Sequence, residues 1–173
     1  MRATIERGGG VHEDFRALFD GHATRVVRLA ALLGAEDPED VAQEAFCRLF
    51  EKRDRLRGEI AEAGAYLNRT VVNLVRDRHR RSMTHRRLGL LNRRDDERQE
   101  PSAEELGVRA DDHRRVSAAL RAIAPRRREA VVLRYWLDLS YADIAVVMGT
   151  SLGSAKSSVS RGLDDLYAHL EES

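Results

Sequence analysis

The sequence predicts an all-α protein of two small helical domains joined by a flexible linker, the second containing a helix-turn-helix. Several stretches of the 173-residue chain carry apolar residues every three or four positions, and no stretch alternates apolar and polar residues as a strand would. Charged residues make up 34% and aromatic residues 5%, which suits small helical units with narrow cores. Between residues 88 and 112 the apolar repeat lapses and eight acidic residues stand against four arginines, as in a linker. The predicted division is a flexible lead (1–12), a first domain (13–87), an acidic linker (88–112) and a second domain (113–173).

The first domain is predicted to contain three helices. The first helix ends at Gly34, the second begins at Pro38, and the third begins near Ala65. Each helix has an apolar stripe at helical spacing. The stripes are Phe15, Leu18, Phe19, Val26, Leu29 and Leu33, then Val41, Ala45, Leu49 and Phe50, then Leu67, Val71, Leu74 and Val75.

Charge is strongly segregated within this domain. Residues 66 to 87 hold seven arginines and one aspartate, a local charge of +6 that would attract phosphates. On the same helix, Asn68, Thr70 and Asn73 add short polar groups that could meet bases. Residues 36 to 44 hold five acids and no base, so they would repel DNA and favour a cationic protein surface. Two different partners are therefore predicted. The alternative explanations are a solvated face or an acidic partner other than nucleic acid for the basic segment, and the usual acids of a helix N-terminus for the acidic one.

In the second domain, Pro125 opens a helix whose apolar stripe is Val131, Val132 and Tyr135. The domain is predicted to end in two further helices separated by a short glycine turn. Ser140 and Asp143 have the spacing of a capping box at the start of the first of these helices, and Gly149 ends it. Either Thr150 or Ser151 can cap the second helix. This arrangement is the sequence outline of a helix-turn-helix.

The final helix has two faces of different chemistry on a helical wheel. The side that must pack carries Ala155, Val159, Leu163, Leu166 and Leu170. The other side and its flanks carry Ser154, Lys156, Ser157, Ser160 and Arg161. Short side chains let a helix enter the major groove, hydroxyls bond phosphates or base edges, and Lys and Arg reach guanine acceptors. Such a face could be merely solvated, but the capped helix and glycine turn before it favour contact with DNA.

No enzymatic site, metal site or cofactor is predicted. The six histidines are scattered, and the sequence has no HExxH motif, no glycine-rich phosphate loop and no recognisable nucleophile. The single cysteine, Cys47, excludes an internal disulfide and a cysteine-based zinc site, and we expect it to be semi-buried. No stretch approaches the ~18 apolar residues of a membrane span, and the N-terminus lacks the apolar segment of a signal peptide. No membrane insertion and a cytoplasmic location are therefore predicted.

Three stretches, in this order and separation, resemble the extracytoplasmic-function sigma factors of bacterial RNA polymerase, which keep only regions 2 and 4 of the sigma-70 family. They are DVAQEAFCRLF, AYLNRTVVNLVRDRHRR and IAPRRREAVVLRYWLDLSYADIAVVMGTSLGSAKSSVSRGLDDL. The resemblance covers about residues 13–87 and 113–171. It implies an alternative sigma factor that binds core polymerase, recognises −10 and −35 promoter elements and promotes transcription initiation.

For region 2, the resemblance implies two sets of contact residues. The acidic helix would bind the coiled coil of the polymerase β′ subunit through Asp40, Gln43 and Glu44. Residues 66 to 81 would face the −10 element. The candidate −10 contacts are Asn68, Arg69, Asn73, Arg76, Asp77, Arg80 and Arg81.

For region 4, the resemblance implies that the final helix reads the −35 element through Ser154, Lys156, Ser157, Ser160 and Arg161. Arg126, Arg127 and Arg128 would contact the DNA backbone or the polymerase β flap. Gly162 stands where the family usually has alanine, and it should locally weaken the helix. The family commonly uses an anti-sigma factor that clamps both domains, so such a partner is expected.

Two other functions compete with this one. A polymerase-independent helix-turn-helix regulator would explain the second domain but not the acidic helix of the first. A sigma mimic that sequesters an anti-sigma factor would not need the basic residues of either domain. Binding to duplex DNA with and without core polymerase distinguishes the first competitor from a sigma factor.

Overall fold

The computed structural model describes residues 9–52, 60–87 and 107–171, and across these ranges it contains helices and no strand. The helices are α1 (Gly9–Leu32), α2 (Pro38–Lys52), α3 (Ile60–Arg87), α4 (Gly107–Ala122), α5 (Pro125–Tyr135), α6 (Tyr141–Met148) and α7 (Leu152–Glu171). The all-α prediction is confirmed. Most of the predicted lead and linker lies outside the described residues.

Three helices begin earlier than the apolar repeat indicates. α1 begins at Gly9 rather than 13, α3 at Ile60 rather than 65, and α4 at Gly107 rather than 113. Apolar periodicity marks only the part of a helix that packs, whereas backbone hydrogen bonding extends a helix through polar residues before that part. The start of α4 therefore lies within the segment that the sequence predicts as linker.

Helices α1, α2 and α3 form one unit, which we call the α1–α3 unit. Its core contains most of the predicted stripe residues, among them Val26, Leu29, Val41 and Leu67, each at most 1% exposed. The side chains of Phe15 and Leu18 lie outside the described part of the chain. Gly34 has a φ of +84°, which ends α1 with a left-handed residue and turns the chain into α2. This turn lets α2 lie across both α1 and α3.

Helices α4 to α7 form the second unit, the α4–α7 unit. Leu133, Ile144 and Val159 are fully buried at its centre, where α7 packs against α5 and α6. Gly162 is buried at the contact of α7 with α5, because a Cβ there would lie 2.6 Å from Cγ2 of Val131 and 2.9 Å from the carbonyl oxygen of Arg127. The glycine that weakens the helix locally is thus what permits the close approach of α7 to α5.

The two units pack against each other. Their buried apolar residues form one continuous cluster, to which Leu33 and Val72 contribute from the first unit and Ile123 from the second. Polar contacts accompany this packing, and the ion pair of Arg76 on α3 with Glu129 on α5 is one of them. The two units are therefore in direct contact, an arrangement that we call the closed form.

Four burial predictions are wrong. Phe19 and Phe50, assigned to the apolar stripes of the first two helices, are 41% and 37% exposed. Cys47 is exposed, because it follows the buried Phe46 by one residue and so points about 100° away from the core. Tyr135, assigned to the inward stripe of α5, is 62% exposed at the end of that helix.

Candidate nucleic-acid interface

The polar face of α7 is exposed as the helical wheel predicts. Ala155 and Val159 are buried on one side, while Ser154, Lys156, Ser160 and Arg161 are exposed on the other. Ser157 is half-buried at the edge of this exposed face. The structure therefore brings the five −35 candidates together on the N-terminal half of one helix.

The turn before α7 is built from local hydrogen bonds that fix its entry. Gly149 has a φ of +59° and ends α6, as the sequence predicts. Ser151, one of the two predicted caps, accepts a hydrogen bond from the backbone N–H of Ser154 at 3.2 Å. Its hydroxyl also donates to Oγ of Ser154 at 2.9 Å, so Ser154 belongs to the cap as well as to the exposed face.

The start of α6 is capped by the predicted pair. The backbone N–H of Asp143 donates to Oγ of Ser140 at 3.1 Å, and the hydroxyl of Ser140 donates to the Asp143 carboxylate at 2.6 Å. The turn between two capped helices holds α7 in a fixed direction relative to α6. This is the geometry that a helix-turn-helix needs.

Lys156 has an aromatic neighbour that the sequence does not reveal. Its Nζ lies 5.9 Å from the centroid of the Tyr141 ring, and Cζ of Arg134 lies 5.4 Å from the same centroid. Two cations on one ring make a compact positive site beside the exposed face of α7. Fifteen positions separate Lys156 from Tyr141, so no local pattern in the sequence could have paired them.

The −10 candidates on α3 divide into two groups. Arg69, Asn73, Asp77, Arg80 and Arg81 recur at helical spacing and are exposed, so they form one polar stripe. Asn68 is half-buried beside this stripe. Thr70 is buried and donates to the carbonyl oxygen of Tyr66 at 2.8 Å, so its hydroxyl does not face outward with Asn73 as the sequence predicts. Arg76 turns away from it toward α5, where it pairs with Glu129 and donates to the carbonyl oxygen of Val147 at 3.1 Å.

The acidic candidates on α2 contact the basic helix. Nη2 of Arg78 on α3 lies 2.6 Å from the carboxylate of Asp40 and 2.8 Å from that of Glu44. Glu44 also pairs with Arg48 at 2.6 Å. The hydrogen bond from Arg78 holds the pKa of Glu44 below its ordinary value of 4.5; partial burial opposes this shift and Arg48 reinforces it. Gln43 is exposed on the same helix, one turn from Asp40.

The three arginines at the start of α5 are engaged within the protein. Arg126 donates to the carbonyl oxygen of Met148 at 3.1 Å, and Arg127 donates to both carboxylate oxygens of Asp165. Arg128 is 5% exposed and donates to the carbonyl oxygen of Arg121 at 3.3 Å. Each of the three thus has a partner within the protein in this form, and the contacts to DNA or the β flap that the resemblance implies stay predictions.

Neither a metal site nor a membrane span is evident in the described parts of the chain. Within residues 9–52, 60–87 and 107–171, no three His, Cys, Asp or Glu residues are grouped so that they could hold a metal ion. Among the helices of those ranges, none has the length and apolar character needed to cross a membrane.

Known families and proteins match both units. The family model for Sigma-70 region 2 matches residues 18–84, and that for Sigma-70, region 4 matches residues 113–166. The ECF RNA polymerase sigma factor SigE of Mycolicibacterium smegmatis is 33% identical over 152 residues, which are 86% of this chain and 58% of that protein. The RNA polymerase sigma-E factor of Streptomyces antibioticus is 31% identical over 139 residues, 78% of this chain and 71% of that one.

A solved structure shares the fold. It is the sigma factor RpoE in complex with the anti-sigma factor NepR from Bartonella quintana, which is 21% identical and superposes with a TM-score of 0.69. The match covers 92% of this chain and 98% of that one. The chain spans a little over half the length of SigE and about seven-tenths of the Streptomyces protein.

Proposed function

This chain belongs to the extracytoplasmic-function sigma factors of the sigma-70 family, and from that premise we propose that it directs core RNA polymerase to promoters. The observation that carries the proposal is that separate units expose separate polar helix faces, one on α3 and one on α7. A regulator with a single reading helix would need only one of them. Two faces on two units suit a protein that recognises two promoter elements.

The α4–α7 unit is proposed to read the −35 element. Its helix α7 enters the major groove, with Ser154, Lys156, Ser157, Ser160 and Arg161 toward the DNA. Arg161 is long enough to reach guanine acceptors, whereas the serines bond phosphates or base edges without holding the backbone away from the groove. The cationic pair on Tyr141, beside the exposed face of α7, is proposed to contact DNA phosphates.

The α1–α3 unit is proposed to engage the −10 element through the exposed stripe of α3. Its contacts are Arg69, Asn73, Asp77, Arg80 and Arg81, with Asn68 at the edge. Arg76 joins them only if its pairing with Glu129 is released. The short polar side chains would meet bases, while the arginines neutralise phosphates and make binding depend on salt.

The exposed acidic side of α2 is proposed to bind the coiled coil of the polymerase β′ subunit. Asp40, Gln43 and Glu44 are its residues, and the two carboxylates offer negative charge to a cationic surface. The second polymerase contact is the β flap, reached by the α4–α7 unit. The protein is thus a non-catalytic factor that acts in the cytoplasm with polymerase, and an anti-sigma factor is its expected restraint.

Transcription in vitro tests this proposal most directly. Core polymerase from the source organism is incubated with fragmented genomic DNA, with and without the protein, and the 5′ ends of new transcripts are mapped. New start sites that share paired −10 and −35 motifs support a sigma factor. Absence of new starts with duplex binding intact supports the polymerase-independent regulator, and binding to an anti-sigma factor without DNA binding supports the mimic.

A double variant separates specific initiation from general effects of the protein. Lys156→Ala with Arg161→Ala removes both cations of the proposed −35 face. We expect it to abolish the shared −35 motif among the new starts while binding of core polymerase persists. Asp20 is an exposed residue of α1, and Asp20→Arg serves as a control that should leave the start sites unchanged.

A further inference from the structure

We propose that the ion pair between Arg76 and Glu129 is a latch that holds the free chain in a closed form, unable to span both promoter elements at once. This inference rests on the proposed function, because it concerns how the two reading units are kept together. Arg76 belongs to α3, the proposed −10 helix, and Glu129 belongs to α5 of the other unit. The latch therefore joins one reading unit to the other through a residue of the −10 set.

The contacts of Arg76 are shielded from solvent. Its side chain is 26% exposed and that of Glu129 is 12% exposed, so salt screens their attraction less than it screens a surface pair. The same guanidinium donates to the carbonyl oxygen of Val147 near the end of α6. One arginine thus contacts two helices of the opposite unit, which fixes both the approach and the rotation of the units.

Two further contacts across the boundary support the closed form. The guanidinium of Arg128 on α5 occupies the space where a Cβ of residue 34 would lie. Because Gly34, in the turn after α1, has no side chain, Arg128 can pack directly against it. Cζ of Arg28 on α1 lies 5.5 Å from the centroid of the Trp136 ring, just after α5. Arginines from both units therefore secure the same boundary.

Grooves open to solvent flank the buried part of the boundary. A groove of about 290 Å³ runs between the units, with His79 and Met83 on one side and Arg121 on the other. A second gap of about 140 Å³ lies beside Arg76 and Glu129 themselves. The boundary thus combines polar contacts with grooves that solvent can enter, and comparatively polar boundaries are those across which domains move.

Promoter geometry requires separation. The −10 and −35 positions are by their numbering 25 base pairs apart, which is ~85 Å along DNA at 3.4 Å per base pair. A compact chain of 173 residues has a radius of gyration of ~16 Å and hence a diameter of ~40 Å. The closed form therefore cannot place α3 and α7 on their elements together. Opening also releases Arg76 toward the DNA side of α3.

Distances between spin labels on the two units test the latch. In a Cys47→Ser background, Thr24→Cys on α1 and Ala168→Cys on α7 provide two exposed labelling positions outside the proposed contact surfaces. Double electron–electron resonance on the free full-length chain should give one narrow, short distance. Addition of core polymerase should replace it with a longer one. A broad, long distribution in the free chain would overturn the closed form.

Glu129→Gln tests the ion pair itself, because it removes the charge and keeps the shape. We expect the ratio of open to closed molecules to rise about tenfold, the effect of losing one charge-assisted hydrogen bond. Asp165→Asn is the matched control, since it breaks the partly buried pair with Arg127 inside one unit and should leave the distance unchanged. An unchanged distance in Glu129→Gln would disprove the latch.

A charge exchange separates the latch from general loosening of the fold. Arg76→Glu and Glu129→Arg should each open the chain, and the double variant should close it again. The distance measurement needs no promoter, so it reports the latch even if transcription fails. Transcription by the parent chain with no change of distance on polymerase binding would leave the proposed function standing and refute the latch.

Discussion

Nη2 of Arg78 lies 2.8 Å from Oε2 of Glu44, and this contact joins the proposed −10 helix to the proposed polymerase-binding helix. The arginine also lies 2.6 Å from Asp40, so one guanidinium holds both carboxylates of the proposed polymerase-binding face in place. It is itself absent from the predicted −10 set. Arg78 is therefore best described as a positioning residue for the acidic face.

Removal of this arginine should raise the pKa of Glu44. Arg78→Met keeps the aliphatic length and deletes the hydrogen bond that is the largest cause of the lowered pKa. Carbon-13 NMR titration of the Glu44 carboxyl measures the shift directly. An unaltered titration midpoint in the variant would show that Arg48 and the surroundings, and not Arg78, set this pKa.

The same pair should affect acid stability in one direction. Because the folded pKa of Glu44 is below 4.5, the contact stabilises the folded state above that pH, and the stabilisation disappears as pH falls through the folded pKa. The free energy of unfolding, measured with denaturant at neutral pH and at pH values below 4.5, should fall less on acidification in Arg78→Met than in the parent. The effect should be modest, since Glu44 is 36% exposed.

Gln43→Arg should weaken binding of core polymerase about tenfold, or ~1.4 kcal/mol. The new guanidinium places positive charge in the middle of a face proposed to meet a cationic surface. Gln43 is exposed, so the fold should be unaffected. Fluorescence anisotropy of a labelled chain titrated with core polymerase measures the affinity, and Asp20→Arg controls for a positive charge elsewhere on the same unit. Equal affinities for the two variants would count against this face.

Asp40→Arg should likewise weaken polymerase binding by charge reversal. The structure adds that the new side chain would meet Arg78, which now contacts Asp40. Some loss of stability is therefore expected in this variant, unlike in Gln43→Arg. Thermal unfolding separates that loss from the loss of affinity.

Arg161→Ala should cost ~1–3 kcal/mol of promoter binding and relax the preference at one −35 position. Arg161 is exposed on the reading face of α7, so its removal should leave the fold intact. Competition binding of polymerase holoenzyme to a set of −35 variants gives the preference at each position. Arg114 is an exposed arginine of α4, and Arg114→Ala should retain full discrimination among the −35 variants. Full discrimination in Arg161→Ala as well would remove this residue from the proposed interface.

Gly162→Ala should destabilise the protein by about 1–3 kcal/mol, despite the higher helix propensity of alanine. The new Cβ would press on the backbone of Arg127, which cannot move aside as a flexible side chain can. Gly153→Ala, in the same helix with open space around it, should instead be neutral or stabilising. Chemical denaturation of both variants provides the comparison. Similar stability for the two would show that α7 and α5 adapt to the extra methyl group.

Features set by neighbours along the chain could be predicted from the sequence. The cap formed by Ser140 and Asp143 depends on residues three positions apart, and the end of α6 depends on the conformational freedom of Gly149. The exposed face of α7 follows from the helical repeat alone. These elements need no knowledge of tertiary structure.

Contacts between distant residues could not be predicted in this way. Arg76 and Glu129 are 53 positions apart, and nothing near Arg76 distinguishes it from the exposed arginines of the same helix. The role of Gly162 was likewise hidden, because the space available to a side chain depends on a helix that lies elsewhere in the sequence. Whether each candidate residue touches DNA or polymerase stays a prediction that the experiments above test.

The last two carbonyl groups of α6 accept hydrogen bonds from one arginine of each unit. Arg126 of the same unit donates to the carbonyl oxygen of Met148, and Arg76 of the other unit donates to that of Val147. An eight-residue helix has little stability of its own, so the partner at its end matters. When the units part, α6 gives up the bond from Arg76 and keeps the bond from Arg126. The helix-turn-helix can thus travel as a rigid body, and the chain can change its reach along DNA without remaking the surface that reads it.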